Sequence, residues 1–180
     1  MKNFVKIVKV LVLNVWCFFS LLPVIAQDSE LSDAEIASVA VVANQNDIEF
    51  AEIALERSEN PEVLNFAETM ATDHKAVIDL AVALVTKLNV TPKDNAFSQQ
   101  LLSNAEKTKA MLHSKSAEEF DKAYVDNEVV YHTAVVGAVE NVLIPQSQNM
   151  ELKQLLQQAL AILKTHQQHA VMLQKELAKE

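Results

Sequence analysis

Apolar residues along most of this 180-residue chain recur every three or four positions, the spacing that places them on one face of an α-helix. Gly137 is the only glycine and there are only four prolines, so few residues interrupt these patterns. The chain is therefore predicted to be all-α, with four long helices and one shorter helix. They are expected at about 33–58, 61–88, 96–112, 117–144 and 149–180, the shorter one being 96–112.

Polar residues mark the predicted starts of three of these helices. Ser32 followed by Glu35 is the pattern of a capping box, in which the two side chains bond each other's backbone amides. Asn60 precedes Pro61, which suits the first position of a helix because it has no amide hydrogen to donate. Ser116 is the expected cap of the third long helix.

The lengths of the connections predict how the helices are arranged. Short links join the first two long helices and the last two, so each pair is expected to form an antiparallel hairpin. Between the hairpins, the shorter helix would span roughly 25 Å, enough to return the chain along the bundle. The sequence thus predicts a ferritin-like four-helix bundle with a helical crossover between the second and third long helices.

The N-terminus has the pattern of a secretory signal peptide. Three lysines precede residue 10, an apolar run covers residues 10–22, and Val24-Ile25-Ala26 provides a cleavage site. We expect residues 1–26 to be removed and residues 27–180 to form a single domain. An uncleaved membrane anchor is the alternative, although the apolar run is short for a transmembrane helix.

The charge of the remaining chain restricts its partners. Of 15 basic and 24 acidic residues, only three lysines lie in the signal segment, so cleavage leaves a net charge of −12. Such a charge disfavours binding to nucleic acid or anionic lipid and tolerates cations. Cys17 is the only cysteine and would be lost with the signal segment, so stability would come from core packing without disulfides.

Single polar residues interrupt the apolar stripes near the middle of each long helix. On a helical wheel, Asp47, His74 and His166 lie within the stripes of the first, second and last long helices. Glu128 and His132, four residues apart, are neighbours on the flank of the stripe in the third. Each lies within about two residues, or roughly 3 Å, of its helix midpoint. The sequence therefore predicts that these side chains meet in one layer.

Two interpretations of this layer are open. A lone histidine on an apolar face is most often a hydrogen-bonded core residue, and Glu128 with His132 could be a solvated surface pair. Several unpaired polar groups at one level would each cost roughly 1–3 kcal/mol to bury. They would have to satisfy one another, either in a polar network or by binding a metal ion.

The types of side chain limit which metal could bind. Three histidines with one or two carboxylates suit a single zinc, copper or non-haem iron ion. A carboxylate-bridged di-iron centre needs Glu-x-x-His on two helices, and the chain has neither. Asp73, adjacent to His74, and His169, three residues after His166, are weaker candidate ligands. No motif indicates catalytic residues or an organic cofactor, which favours a non-enzymatic role.

Elements spread over nearly the whole predicted mature chain carry a resemblance to a known family. They are Asn46-Asp47-Ile48-Glu49, Ala54-Leu55-Glu56, Asn60-Pro61-Glu62-Val63, Phe66-Ala67, Met70, Asp73-His74, Phe120-Asp121, Tyr124-Val125, Glu128-Val129, His132, Leu163, His166 and Ala170. Together they resemble the DUF4142 family of exported bacterial proteins, described as ferritin-like and often labelled outer-membrane proteins. The resemblance implies a ferritin-like bundle and gives Asp73, His74, Tyr124, His132 and His166 as family-pattern positions.

This chain differs from the family pattern in three places. Asp47 stands where glutamate is usual, Glu128 stands where glutamine is common, and the Leu-Pro that often precedes the last-helix histidine is absent. Glu128 could add a ligand that relatives lack. A helical, acidic chain with no span after cleavage fits a periplasmic location better than insertion in the outer membrane.

The sequence leaves two main functions open. The leading one is an exported helical bundle that binds a divalent metal in its central His/carboxylate layer, for metal handling or stress protection. The alternative is a structural or protein-interaction module whose polar centre only specifies helix packing. Redox catalysis at a non-haem metal is a third interpretation, but it needs an open coordination position that the sequence does not reveal.

Overall fold

The computed structural model describes residues 30–179, and this part of the chain is all-α, without strands. The predicted signal segment, 1–26, lies outside the described residues. The helices are α1 (Asp33–Arg57), α2 (Pro61–Lys87), α3 (Ala96–Ser114), α4 (Ala117–Ala138), a π-helical turn (Val139–Leu143), α5 (Ile144–Gln146) and α6 (Met150–Leu177).

The helix starts follow the capping residues of the sequence. Ser32 and Glu35 form the expected capping box of α1. The side chain of Asn60 accepts hydrogen bonds from two backbone amides in the first turn of α2, and Pro61 is the first residue of that helix. Ser116 likewise precedes α4 in a capping box with Glu119.

The region around Pro145 differs from the prediction. The third long helix was expected to end before this proline, but α4 ends at Ala138 and helical structure continues through the π turn and α5, which contains Pro145. In a regular α-helix the proline ring would clash with the carbonyl four residues earlier, here that of Asn141. In the π turn immediately before the proline, the amide of Ile144 donates to the carbonyl of Val139, five residues earlier, so the regular α-helical register is interrupted there.

Contacts between the long helices define their directions. The start of α6 meets the end of α2 at the Lys87–Glu151 ion pair, while His166, in the middle of α6, bonds Asp73, in the middle of α2. These two helices are therefore antiparallel. Helices α4 and α6 are also antiparallel, because Glu140 pairs with Lys164 and Asp126 with Gln174. It follows that α2 and α4 run in the same direction.

Helix α3 connects α2 to α4 and packs along α1. The side-chain amide of Asn46 donates to the carbonyl of Leu101, and Lys109 pairs with Glu49. Arg57, at the end of α1, bonds the backbone carbonyls of Leu112 and Lys115. These contacts run in the same order along both helices, so α3 is parallel to α1 and returns the chain to the start of α4.

Two apolar clusters lie at opposite ends of the four long helices. One is built around Phe50, Phe66 and Phe120 and the other around Ile36 and Leu156, each with further buried side chains. The layer between them contains the mid-helix polar residues. None of the helices in residues 30–179 has a stretch both long and apolar enough for a membrane span.

Candidate metal centre

All five mid-helix residues are buried in one place between the long helices. Asp47, Glu128 and His132 have no exposed surface, and His74 and His166 are 3% exposed. The wheel had put Glu128 and His132 on the flank of their helix, but the structure turns both inward. The expectation that the polar residues of the four long helices meet in one layer is therefore confirmed.

Three imidazole rings form the middle of this layer. The ring centroids of His74, His132 and His166 are 5.1–5.7 Å apart. Oδ2 of Asp47 lies 3.2 Å from Nε2 of His74 and 3.4 Å from Nε2 of His132. Glu128 is the fifth member, with its Oε2 3.5 Å from Nδ1 of His132. Nitrogen and oxygen atoms from all four long helices thus converge.

Each histidine has one nitrogen bonded to an acceptor on the outer side of the layer. Nδ1 of His74 lies 2.7 Å from Oδ1 of Asn44, whose amide nitrogen is itself used to bond the carbonyl of Ala40. Nδ1 of His132 lies 3.1 Å from the backbone carbonyl of Glu128. Nε2 of His166 lies 3.0 Å from Oδ2 of Asp73. All three acceptors are oxygens, so each outer nitrogen carries the proton and donates.

The inner nitrogen of each ring consequently has a lone pair that faces the centre of the layer. Nε2 of His74, Nε2 of His132 and Nδ1 of His166 are buried without hydrogen bonds, as are both carboxylate oxygens of Asp47 and Oε2 of Glu128. These six atoms are most of the eight such buried atoms in residues 30–179. A buried polar atom without a partner costs roughly 1–3 kcal/mol, so several of them in one place favour a bound cation. A cation bound among them would give several of these lone pairs a partner.

Burial also keeps the three histidines neutral. It lowers the pKa of His74 well below the usual value, and the neighbouring rings of His132 and His166 lower it further. Burial lowers the pKa of His132 to about 4, and the electrostatic repulsion between protonated His132 and His166 contributes to this shift. Burial also lowers the pKa of His166, against the opposing effect of Asp73. Neutral imidazole is the form that binds metal ions.

The two buried carboxyl groups shift in the opposite direction. Burial raises the pKa of Asp47 to about 8. Burial and the nearby Asp47 raise the pKa of Glu128 well above its usual value. Both shifts reflect the absence of a positively charged side chain beside these carboxylates, so a divalent ion would provide the charge that favours their ionised forms.

Two overlapping sets of these side chains are compact enough to hold an ion. One consists of the three histidines and the other of Asp47, Glu128 and His132, with the candidate ligand atoms of each set within 4.8 Å of one another. Ligand distances of 2.0–2.2 Å place two atoms on one zinc ion at most about 4.4 Å apart, so only small movements would be needed. His132 belongs to both sets.

One comparison with known proteins gives a match. The family model for a domain of unknown function, DUF4142, matches residues 23–173. The chain belongs to the DUF4142 family. Comparisons with curated proteins and with solved structures find no match. The resemblance seen in the sequence is thus confirmed.

The two weaker candidate residues of this DUF4142 protein have different places. Asp73 bonds the outer nitrogen of His166 and is in neither of the compact sets, so its position suits orienting a ligand better than binding metal directly. His169 lies against the ring of Phe66, with ring centroids 5.0 Å apart, and is also in neither set.

Two residues near the centre were not assigned a role from the sequence. Asn44 holds His74, and its position three residues before Asp47 is the signal that would have placed it on the same helix face. Tyr124 was noted only as a family-pattern position. Its hydroxyl is buried without a partner, and burial together with Glu128 and Asp47 raises its pKa well above the usual value.

Proposed function

We propose that this DUF4142 protein binds a divalent metal ion at the centre of a ferritin-like bundle. The ligands would be His74, His132 and His166 with Asp47, and Glu128 as an additional carboxylate. The observation that carries the proposal is the orientation of the three rings, since each donates a proton outward and directs an unpaired nitrogen inward. Metal-binding histidines in proteins are held in this way.

The ligand chemistry favours a single zinc, copper or non-haem iron ion. Neutral imidazoles bind all three metals, and one or two carboxylates complete a four- or five-coordinate site. Helices α2, α4 and α6 each provide a histidine and α1 provides Asp47, so the ion would hold four separate segments of the chain together. The protein would serve in metal handling or stress protection, after export directed by its N-terminal segment.

Metal analysis of the purified protein, made without a histidine tag, tests this proposal. We expect about one equivalent of zinc, copper or iron per chain after loading and desalting, and loss of that metal in the His74→Ala/His166→Ala variant. His113→Ala is the matched control, because His113 is exposed near the end of α3. His169→Ala should also retain the metal, since that ring lies outside both compact sets.

The same experiment separates metal binding from a purely structural centre. If wild-type protein binds no metal and its melting temperature responds neither to chelator nor to added zinc, the proposal is wrong. The polar layer would then serve only to specify helix packing. Circular dichroism of each variant shows whether the helices remain formed, so that loss of metal is not confused with unfolding.

A further inference from the structure

A cavity of about 450 Å³ lies between the helices, mainly on the side of the metal layer where α2 ends and α6 begins. Residues of α1, α2, α3, α4 and α6 line it, from Leu156 in the bundle to Asn104 on α3. Helix cores are normally close-packed, with few voids larger than a water molecule. The volume instead falls within the range of small-molecule binding sites.

The lining is almost entirely apolar and carries no charge. Among residues 30–179, the side chains around the cavity are aliphatic, aromatic, amide or hydroxyl groups, and none is acidic or basic. This contrasts with a chain that has 24 acidic and 15 basic residues. Polar groups are few: the amides of Asn44, Gln100, Asn104 and Asn127 and the hydroxyls of Thr108 and Tyr131. A charged ligand would find no counter-charge there.

Exposed lining residues locate the mouth of the cavity. Gln100 and Asn104 on α3 and Val130 and Ala134 on α4 line it and are all exposed, so the opening lies between these two helices. Alanines such as Ala81 lie deeper and are buried. The site is thus an apolar interior that is reached past a rim with two side-chain amides. It suits a ligand whose aliphatic chain enters end-on and whose neutral polar group stays near the rim.

We propose that this cavity binds an uncharged molecule with an aliphatic chain and at most a neutral hydrogen-bonding head, such as a fatty alcohol. The cavity is separate from the ligand atoms of the metal centre, although Asn44, which bonds His74, is part of its lining. The proposal therefore stands or fails independently of metal binding.

Titration with Nile red, a neutral apolar dye, tests the site in the purified protein. We expect saturable binding of one dye per chain, with displacement by 1-dodecanol below its solubility limit. Dodecanoate and dodecyltrimethylammonium, which have the same chain and a charged head, should displace the dye much less well. Displacement by dodecanoate as effective as that by dodecanol would overturn the assignment of a neutral ligand.

Two substitutions locate the binding. Ala81→Leu fills the interior and should weaken dye binding about tenfold or more, because the cavity is left with less space. Ala134→Phe should obstruct the mouth. Because residue 134 is exposed, this variant should fold even if Ala81→Leu, in the interior, prevents folding. The matched controls are Ala83→Leu and Ala161→Phe, both exposed and outside the lining, which should bind as wild type does.

Three results would overturn the proposal: no saturable dye binding, dye binding that neither lining variant alters, or equal loss of binding in the controls. Analytical ultracentrifugation of the same samples measures the oligomeric state. If the wild-type protein is a dimer that Ala134→Phe separates, the mouth belongs to an interface between two copies, and the ligand site is wrong.

Discussion

The direction of each hydrogen bond distinguishes the histidines of this centre from ordinary core histidines. An isolated buried histidine normally satisfies both nitrogens, whereas His74, His132 and His166 each satisfy only the outer one. The outer acceptors differ: an amide oxygen for His74, a backbone carbonyl for His132 and the carboxylate of Asp73 for His166. The Asp73 side chain is 44% exposed, so it can be replaced without disturbing the buried core.

Substitutions of Asp73 should separate its effect on His166 from its effect on the fold. Asp73→Ala removes the acceptor that orients the ring and should weaken metal binding by about 10–100-fold, the usual effect of losing such a partner. Asp73→Asn keeps an oxygen acceptor, so it should retain more of the affinity than Asp73→Ala does. Competition with a chromophoric chelator measures the metal dissociation constant of each variant.

Asp79→Ala is the control for these substitutions. Asp79 is an exposed aspartate on the same helix, and it makes a 4.0 Å ion pair with Lys75 one turn away. We expect metal affinity to be unchanged in this variant. Equal affinities for wild type, Asp73→Ala and Asp79→Ala would show that the bond between Asp73 and His166 has no part in binding.

Asp47 should have opposite effects on metal binding and on the stability of the metal-free protein. Its pKa of about 8 lies above the ordinary 3.8, so the folded metal-free state holds a proton that the unfolded state releases. Stability is therefore lost as pH rises from about 4 to about 8. Asp47→Asn removes this cost, so in chelator at pH 7 it should unfold at higher urea concentration than wild type, while losing metal affinity.

The pH series provides the check on this prediction. The stability advantage of Asp47→Asn should be small near pH 4 and should grow towards pH 8, because only the wild-type residue ionises on unfolding in that range. Glu52→Gln, an exposed carboxyl on the same helix, should show no such trend. An Asn variant less stable than wild type at every pH would mean that the carboxyl is satisfied within the fold.

At the scale of the helices, much could be predicted because periodicity and caps are local properties of the sequence. The inward positions of Asp47, His74 and His166 follow from the apolar residues one turn away on either side. The phase of Glu128 and His132 was less certain, because apolar residues surround them on more than one face of α4. The continuation of helix past Pro145 depends on a π turn, which no residue pattern signals.

The hydrogen-bond acceptors of the outer histidine nitrogens were harder to predict than the polar residues that point inward. Asn44 is on the same helix as Asp47, but whether its amide meets His74 depends on how closely α1 and α2 approach. The cavity is a property of packing among five helices and has no counterpart in the periodicity of any one of them. The layer can therefore be predicted from the sequence, whereas the contacts that orient its rings depend on how the helices pack.

The cap of α2 gives a prediction at this scale that does not involve the centre. The Asn60 side chain accepts from the amides of Glu62 and Val63, so Asn60→Ala should destabilise the protein by about 1 kcal/mol. For a domain of this size the melting temperature should fall by roughly 2–4 °C. Asn65→Ala, at an exposed position within the same helix, should not lower it.

At the scale of the whole molecule, the proposed ion would join the two hairpins. The α1–α2 hairpin provides Asp47 and His74, and the helices after the crossover provide Glu128, His132 and His166. Without an ion, the buried nitrogen and oxygen atoms at this junction lack the positive charge that would pair with them. The metal-free protein should therefore keep its helices, which have two apolar clusters, but should be less stable as an assembly.

Removal of metal by a chelator should accordingly lower the melting temperature of the loaded wild-type protein. A ligand present at one hundred times its dissociation constant contributes about 2.7 kcal/mol, equivalent to roughly 5–10 °C for a domain of this size. The His74→Ala/His166→Ala variant should melt at the same temperature with and without metal. If metal stabilises that variant as much as wild type, the ion binds elsewhere, for instance at surface carboxylates, and the central layer is not its site.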